Sequence, residues 1–202
     1  MRDILVIAAH PHRAHSRVTA ALMAQAEAHP RVVLHDLYRR YPDYTIDVAA
    51  EQAALAAARL VVWLHPTHWY AMPALMKLWL DEVFAFGWAY GPGGQALAGR
   101  DLWLATSTGG AEATYHPSGH NRYFFEHFLH PHEQTAALTQ MRWLPPLVLH
   151  GAHRVSDADL QAHAQVFADR LSRYPDWPEL ADLAPQAACE VAADERPADT
   201  PT

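Results

Sequence analysis

The run Ile4-Leu5-Val6-Ile7-Ala8-Ala9, broken off by His10-Pro11-His12-Arg13, decides how the rest of the chain is read. It is apolar at every position and not at alternate ones, which marks a short strand buried on both faces. Such strands belong to parallel sheets with helices on either side. Residues 60–64 (Leu60-Val61-Val62-Trp63-Leu64) and 101–105 repeat the pattern, and shorter strands are predicted over 31–37 and 147–149. Helical patterns lie between them. Ser16 precedes Val18, Leu22 and Ala26 at four-residue spacing, and residues 48–58 are rich in alanine. After Pro73, Leu75, Met76, Trp79, Leu80 and Val83 follow the period of a packed helix. Ser156-Asp157-Ala158-Asp159 opens a last helix with Leu160, Ala164, Phe167 and Leu171 on one face. Five alternations of strand and helix predict an α/β fold with a doubly wound parallel sheet. Residues 88–100 and 108–132 read as long irregular excursions, and long loops in compact domains tend to be functional.

The 202 residues are half hydrophobic, enough for one compact domain. The net charge is -7, from 22 acidic against 15 basic residues, so no basic footprint invites nucleic acid or an anionic membrane. Residues 178–202 hold six acids and one arginine, which leaves residues 1–177 at -2. The expected division is therefore a folded domain over 1–177 and an acidic, disordered tail over 178–202. The single cysteine, Cys189, excludes an intrachain disulfide and a Cys-cluster metal site and suits a cytoplasmic protein. Histidine is the outlier, with 15 residues, as many as Lys and Arg together.

In an open parallel sheet, ligands bind beyond the carboxyl ends of the strands. Three of those ends carry unusual residues. After the first strand, His10 leads to Ser16, Arg17, Val18 and Thr19, where hydroxyls, helix-start amides and an arginine suit a phosphate. The Gly-rich cradles of dinucleotide and nucleotide triphosphate sites are absent there. The same residues also suit an ordinary capped helix with a solvated arginine. After the third strand, Thr67-His68-Trp69-Tyr70 puts two large aromatics where they can flank a planar ring or pack on the next helix. After the fourth, Ser107-Thr108-Gly109-Gly110 lets main-chain amides approach a ligand closely.

Together these segments describe a flavin mononucleotide site, and the chain resembles the flavodoxin-like NAD(P)H:quinone reductases. The branch it matches best comprises the ancillary subunits of glutathione-regulated potassium-efflux systems. The resemblance is carried by Ala9-His10-Pro11, Asp36-Leu37-Tyr38, Tyr41-Pro42-Asp43, His65-Pro66, Trp69-Tyr70, Pro73-Ala74-Leu75, Lys77-Leu78-Trp79, Gly87-Trp88-Ala89-Tyr90-Gly91, Thr108-Gly109-Gly110 and Trp143-Leu144-Pro145-Pro146, in order from about residue 3 to 173. It implies a flavodoxin-like sheet of order 2-1-3-4-5 and an FMN-containing two-electron reductase that is a homodimer. FAD is the flavin of the larger reductases in the superfamily. Flavin contacts carry over to His10, to Ser16, Arg17, Val18 and Thr19, to Thr67, His68, Trp69 and Tyr70, and to Ser107, Thr108, Gly109 and Gly110. Where this chain has Thr19 and Thr67-His68, the family often has Asn and Met-Gln. NAD(P)H would pass a hydride to the flavin and leave, and a quinone or similar electrophile would then take its place. A tyrosine and a histidine in the loop after Gly-Gly serve the larger reductases; Tyr115 matches, while Asn121 stands at the histidine position and His120 is one residue earlier. The pair Tyr115 and His120 is the expected catalytic set.

Two other readings remain. One is a regulatory subunit docking on a membrane potassium-efflux transporter, which would hold the protein at the inner face of the membrane. The other is a zinc-dependent deacetylase of the Ala-His-Pro-Asp-Asp type, but here His12-Arg13 replace both carboxylates, removing ligand and base. His116 and His120, or His127, His130 and His132, form no ligand set on a helix face, the latter group being interrupted by Pro131, so no metal site is expected.

Overall fold

The computed structural model describes residues 2–181 and residue 183. Strands β1 (Ile4–Ala8), β2 (Val32–Asp36), β3 (Leu60–Pro66), β4 (Asp101–Ser107) and β5 (Arg142–Leu149) form one sheet in the order β2-β1-β3-β4-β5, every pair parallel. Helices α1 (Val18–Ala28), α2 (Leu37–Arg40), α3 (Val48–Ala57), α4 (Ala74–Val83), α5 (His130–Leu138) and α6 (Asp157–Arg173) connect and flank them. The strand residues alternate between two cores. Ile4, Val6, Val62, Leu64 and Trp103 pack with Leu22 of α1 and Phe167 and Leu171 of α6. Leu5, Ile7, Val61, Trp63 and Leu104 pack with Leu55 of α3, Trp79 of α4 and Ala136 of α5. Both faces of the sheet are thus covered, which is why β1, residues 60–64 of β3 and residues 102–105 of β4 are apolar at every position.

Three elements differ from the sequence expectation. The stretch 108–132 is not irregular to its end, because α5 begins at His130; Pro131 falls in its first turn, where a missing N–H costs no helix bond. α2 is one turn long, too short for a periodic signal. β5 starts five residues earlier than 147 and runs through Pro145 and Pro146. It tolerates them as an edge strand, with a register irregularity against β4 between Trp103 and Ala105. Past the expected boundary at 177, Pro178–Ala181 form a 3-10 turn with Leu180 buried, and Trp177 Nε1 donates to Arg170 O at 2.7 Å. The rest of the predicted tail, Cys189 included, lies outside the described residues except for Leu183, which packs on the α1/α6 core.

One charge is buried outright in the α3/α4 layer. Glu51 of α3 is 0% exposed, and four side chains reach its carboxylate. His35 Nδ1 of β2 lies 2.9 Å and Trp79 Nε1 of α4 3.0 Å from Oε2, while Tyr41 OH at 2.6 Å and Arg40 Nε at 2.9 Å meet Oε1. Burial pushes this carboxyl up, but the hydrogen bonds from His35, Tyr41 and Trp79, with the attraction of His35, outweigh it and hold it below the usual carboxylate range. Removing one partner of such a buried set leaves the others desolvated and unpaired. Glu51→Ala is expected to cost on the order of 3–5 kcal/mol in urea denaturation, with Glu51→Gln in between.

Candidate functional site

With the order 2-1-3-4-5, crossovers leave in opposite directions from β1 and β3, opening a crevice beyond their carboxyl ends. Two adjoining clefts occupy it and share Thr67. The first, about 260 Å³, is lined by the loop after β1 (His10, His12, His15), the start of α1 (Arg17, Val18, Thr19), His68, Ser107 to Gly109, and Ala152 and His153 beyond β5. The second, about 370 Å³, is lined by Trp69, Tyr70, Gly110, Thr114, Tyr115, His120 and Asn121. All the residues proposed from sequence line one cleft or the other except Ser16, which stands behind: its Oγ accepts from Ala20 N at 3.0 Å and starts α1.

At the first cleft, the short helix start leaves the Val18 and Thr19 amides without intrahelical acceptors. Gly109 and Gly110 likewise have amides with no hydrogen-bond partner among the described residues. The arginine is placed differently from expectation. Arg17 donates across the cleft wall to Val155 O at 3.0 Å and Asp157 Oδ1 at 2.7 Å, so its charge is already matched. Arg13 is matched in the same way by Asp36 at 2.7 Å. His10 accepts from His12 N through Nδ1 at 3.2 Å and meets the His68 ring edge-on at 6.3 Å. Burial and these two neighbouring imidazoles hold the His10 pKa down, and burial does the same at His68.

At the second cleft, Trp69 and Tyr70 are the two central residues of a tight turn closed by His68 N to Ala71 O at 2.9 Å and Ala71 N to His68 O at 3.0 Å. Their φ values are 50° and 64°, left-handed positions that such turns normally give to Asn and Gly. Trp69 is 93% exposed, so packing in the monomer does not explain the strain. Tyr70 stacks on Phe128 at 4.9 Å and donates to Asn121 Oδ1 at 3.3 Å. Tyr115 is wedged edge-on against Phe125 at 5.3 Å, and burial pushes its phenol pKa up, partly relieved by Thr108. The imidazole packed beside Tyr115 is His150, at 5.5 Å, whose Nδ1 lies 2.9 Å from Thr108 Oγ1; His120 is exposed on the cleft rim. The sequence reading missed His150 and Thr114; Asn121, noted only as standing where the larger reductases have histidine, also lines the cleft. His150 could have been found, since it directly follows the predicted fifth strand and so must lie at the same sheet edge.

Two residues before Thr67, His65 is buried and stacked on His132 at 5.7 Å, with the Trp63 ring 5.9 Å from His132. Burial pushes His65 down to about 3 and His132 to about 4. Among the described residues, no three His, Cys, Asp or Glu side chains converge so as to hold a metal ion, and no helix is long and apolar enough to cross a membrane.

Residues 2–171 match the family model described as Flavodoxin-like fold. The glutathione-regulated potassium-efflux system ancillary protein KefF of Enterobacter sp. (strain 638) is 43% identical over 87% of this chain and 97% of its own length. Among solved structures, a chain described as thermophilic tryptophan halogenase from Streptomycin violaceusniger has a TM-score of 0.80 at 35% identity, covering 83% of this chain and 97% of its own. General stress protein 14 in complex with FMN, from Treponema denticola, has a TM-score of 0.79 at 36% identity, covering 84% and 98%. An NADPH-quinone reductase from P.pentosaceus has 0.75 at 27%, covering 83% and 96%.

Two outcomes follow from this geometry. Replacing Trp69-Tyr70 by Asn-Gly relieves two left-handed aromatics and is expected to raise unfolding stability by about 1–3 kcal/mol, read in urea. His65 and His132 have folded pKa values below the ordinary histidine range, so the unfolded chain takes up more protons than the folded one as pH falls below about 6.5. Their neutral burial therefore stabilises the protein fully above that pH, and the contribution is lost progressively towards pH 3. His132→Phe is expected to flatten this acid limb in denaturation midpoints measured from pH 7 to 4.

Proposed function

The chain belongs to the flavodoxin-like family, and we propose that it is an FMN-dependent NAD(P)H:quinone reductase whose site is the pair of joined clefts. The carrying observation is the tight turn that strains Trp69 and Tyr70 to present two aromatic rings in the cleft that Gly110 also lines, beside Gly109, both glycine amides having no hydrogen-bond partner among the described residues. The residues fit a flavin mononucleotide. The clefts together have the volume of a small-molecule site, with aromatics at one end and helix-start amides and imidazoles at the other. The cradle between them is close-fitting: a Cβ on Gly110 would meet Thr114 Oγ1 at 2.8 Å and Tyr115 OH at 3.5 Å. The bound FMN of the Treponema denticola neighbour supports this flavin over FAD.

When bound, the flavin supplies two-electron hydride transfer. The protein's part is binding, orientation and proton handling. His10, Val18, Thr19, His68, Ser107 and Thr108 form the end suited to the phosphate, with Ser16 fixing the helix start and Arg17 bracing it from Asp157. The Gly109 and Gly110 amides, which line the two clefts, would stabilise the negative charge that a bound flavin gains on reduction. Thr67 closes the floor, with Oγ1 3.1 Å from Thr106 Oγ1. Tyr70, stacked on Phe128 at 4.9 Å, walls the acceptor side, and Trp69 stands exposed at its rim. Tyr115 keeps its phenolic proton because burial raises its pKa, and it donates that proton to the oxygen of a quinone or similar electrophile; His120 at the rim is its companion, and His150 through Thr108 holds the group in place. The exposed rings of Trp69, Tyr123 and Phe124 around the rim are the surface offered to a second copy in a homodimer.

The protein is expected to purify yellow and release FMN. It should oxidise NAD(P)H in the presence of a quinone, and Tyr115→Phe should slow the quinone half-reaction by about 100-fold in stopped flow. A colourless protein that takes up no flavin overturns the function. Unchanged rates in Tyr115→Phe and His120→Gln overturn the assignment of the proton donors. The 43% identity to a potassium-efflux ancillary protein favours a second role, docking on a transporter. Retention of quinone reductase activity by the purified protein alone, without a transporter, separates the two.

A further inference from the structure

Every strand of the sheet begins at an arginine. In sheet order these are Arg31 before β2, Arg2 two residues before β1, Arg59 before β3, Arg100 before β4 and Arg142 at the start of β5. Main-chain hydrogen bonds hold the row in line: Ile4 N donates to Arg31 O at 3.2 Å, Arg59 N to Asp3 O at 2.8 Å, Asp101 N to Arg59 O at 2.9 Å and Arg142 N to Arg100 O at 2.8 Å. This edge is opposite the one that carries the clefts. Two of the row are matched by carboxylates. Arg31 donates to both oxygens of Asp3 at 2.9 and 2.8 Å, and Arg142 to both of Asp101 at 2.7 and 2.8 Å. Arg100 donates to Leu55 O at 3.1 Å near the end of α3, where a carbonyl answers its N–H but no carboxylate answers its charge. Arg2 and Arg59, both exposed, and exposed Arg173 at the end of α6 likewise have no ion pair among the described residues. Asp176 is a further acid on this edge, and Glu27 and Glu82, near the ends of α1 and α4, pair with none of these guanidiniums.

The last helix brings the chain to the same edge. Tyr174, directly after α6, donates from its hydroxyl to Asp101 Oδ2 at 2.7 Å and accepts from Arg31 Nη1 through its carbonyl at 2.6 Å. Trp177, Leu180 and Leu183 then pack on the α1/α6 core. Beyond Leu183, residues 184–202 hold Glu190, Asp194, Glu195 and Asp199 against Arg196 alone. Glu190 is seven residues past Leu183, a reach of up to about 25 Å, and residues 190–199 can extend over about 30 Å. Five strands about 4.8 Å apart put the two ends of the arginine row about 19 Å from each other. Charge, length and point of departure agree. We infer that the arginine edge is the docking surface for this chain's own acidic segment 190–199, which lies across the strand starts and leaves the clefts at the other edge open. Exposed ion pairs are individually weak and screened by salt, so the segment is released as ionic strength rises. The inference is independent of the flavin reading.

The chain's single cysteine, Cys189, adjoins Glu190 and takes the probe. A nitroxide on Cys189 of the full 15N-labelled chain is expected to broaden the amide signals of residues 2–3, 31–32, 59–60, 100–101 and 142, with residues 107–110 at the cleft edge unaffected. The relaxation enhancement should fall at least about five-fold as salt is raised from about 0.1 M to about 1 M, which shortens the screening length from about 10 Å to about 3 Å. Glu190→Gln/Asp194→Gln/Glu195→Gln/Asp199→Gln keeps the tether and removes the charge, and should lower the enhancement as far. Arg2→Glu/Arg59→Glu/Arg173→Glu, a reversal of three exposed arginines, should do the same. Absent broadening, broadening spread evenly over the surface, or broadening that survives salt, the neutralised segment or the reversed arginines would overturn the inference. Equal broadening of 15N chains by nitroxide carried on separate 14N chains would place the segment on a second copy and overturn it too.

Discussion

A carboxylate with no water around it must be answered by protein on every side, and Glu51 draws its answers from three elements besides its own. His35 belongs to β2, Arg40 and Tyr41 to the short α2 and its end, and Trp79 to α4. The elements packed on this side of the sheet cannot slide past one another without stranding a charge. α4 is the one that matters for the site, because it begins three residues after the Trp69-Tyr70 turn. Leu75 N at its start also donates to Tyr38 OH at 3.4 Å. The aromatic end of the cleft is thus braced from behind, which a turn with two left-handed bulky residues needs if it is to persist.

The costs of this molecule gather at one edge of the sheet. The turn spends backbone strain on rings that face water, and His65 and His132 are kept neutral with ring nitrogens that find no protein partner. Away from that edge, local choices agree with the fold: Asp47 and Ser156 cap α3 and α6 through Ala50 N and Asp159 N, and Trp103 stacks on Phe167 at 5.2 Å. Tyr44 and Gln140 at positive φ and the unpaired His163 Nε2 and Arg170 Nη1 lie elsewhere, but the two strained aromatics and the neutral histidine pair fall together at the edge that carries the clefts.

Much of this could be read from the residues because burial on both faces leaves an uninterrupted apolar run, as at Ile4 to Ala8 and Leu60 to Leu64. The site was legible to the extent that it sits at strand ends, which fixes Thr67 to Tyr70 and Ser107 to Gly110 without any knowledge of side-chain direction. Direction is where sequence reasoning failed. Nothing local says that Arg17 turns to Asp157, 140 positions away, or that Tyr115 meets His150 and not His120. β5 begins five residues before the apolar 147–149 that mark it in the sequence, and α5 gives no amphipathic signal because its first turn holds a proline and three polar residues.

The two prolines of β5 have a further effect. Successive strand residues present their N–H groups to opposite sides, so Pro145 and Pro146 delete one donor towards β4 and one towards the outside. The inner loss is absorbed at the register irregularity beside Trp103 and Ala105. The outer loss leaves a gap in the ladder that an incoming strand would need in order to pair along this margin. The sheet therefore has a natural stop at β5.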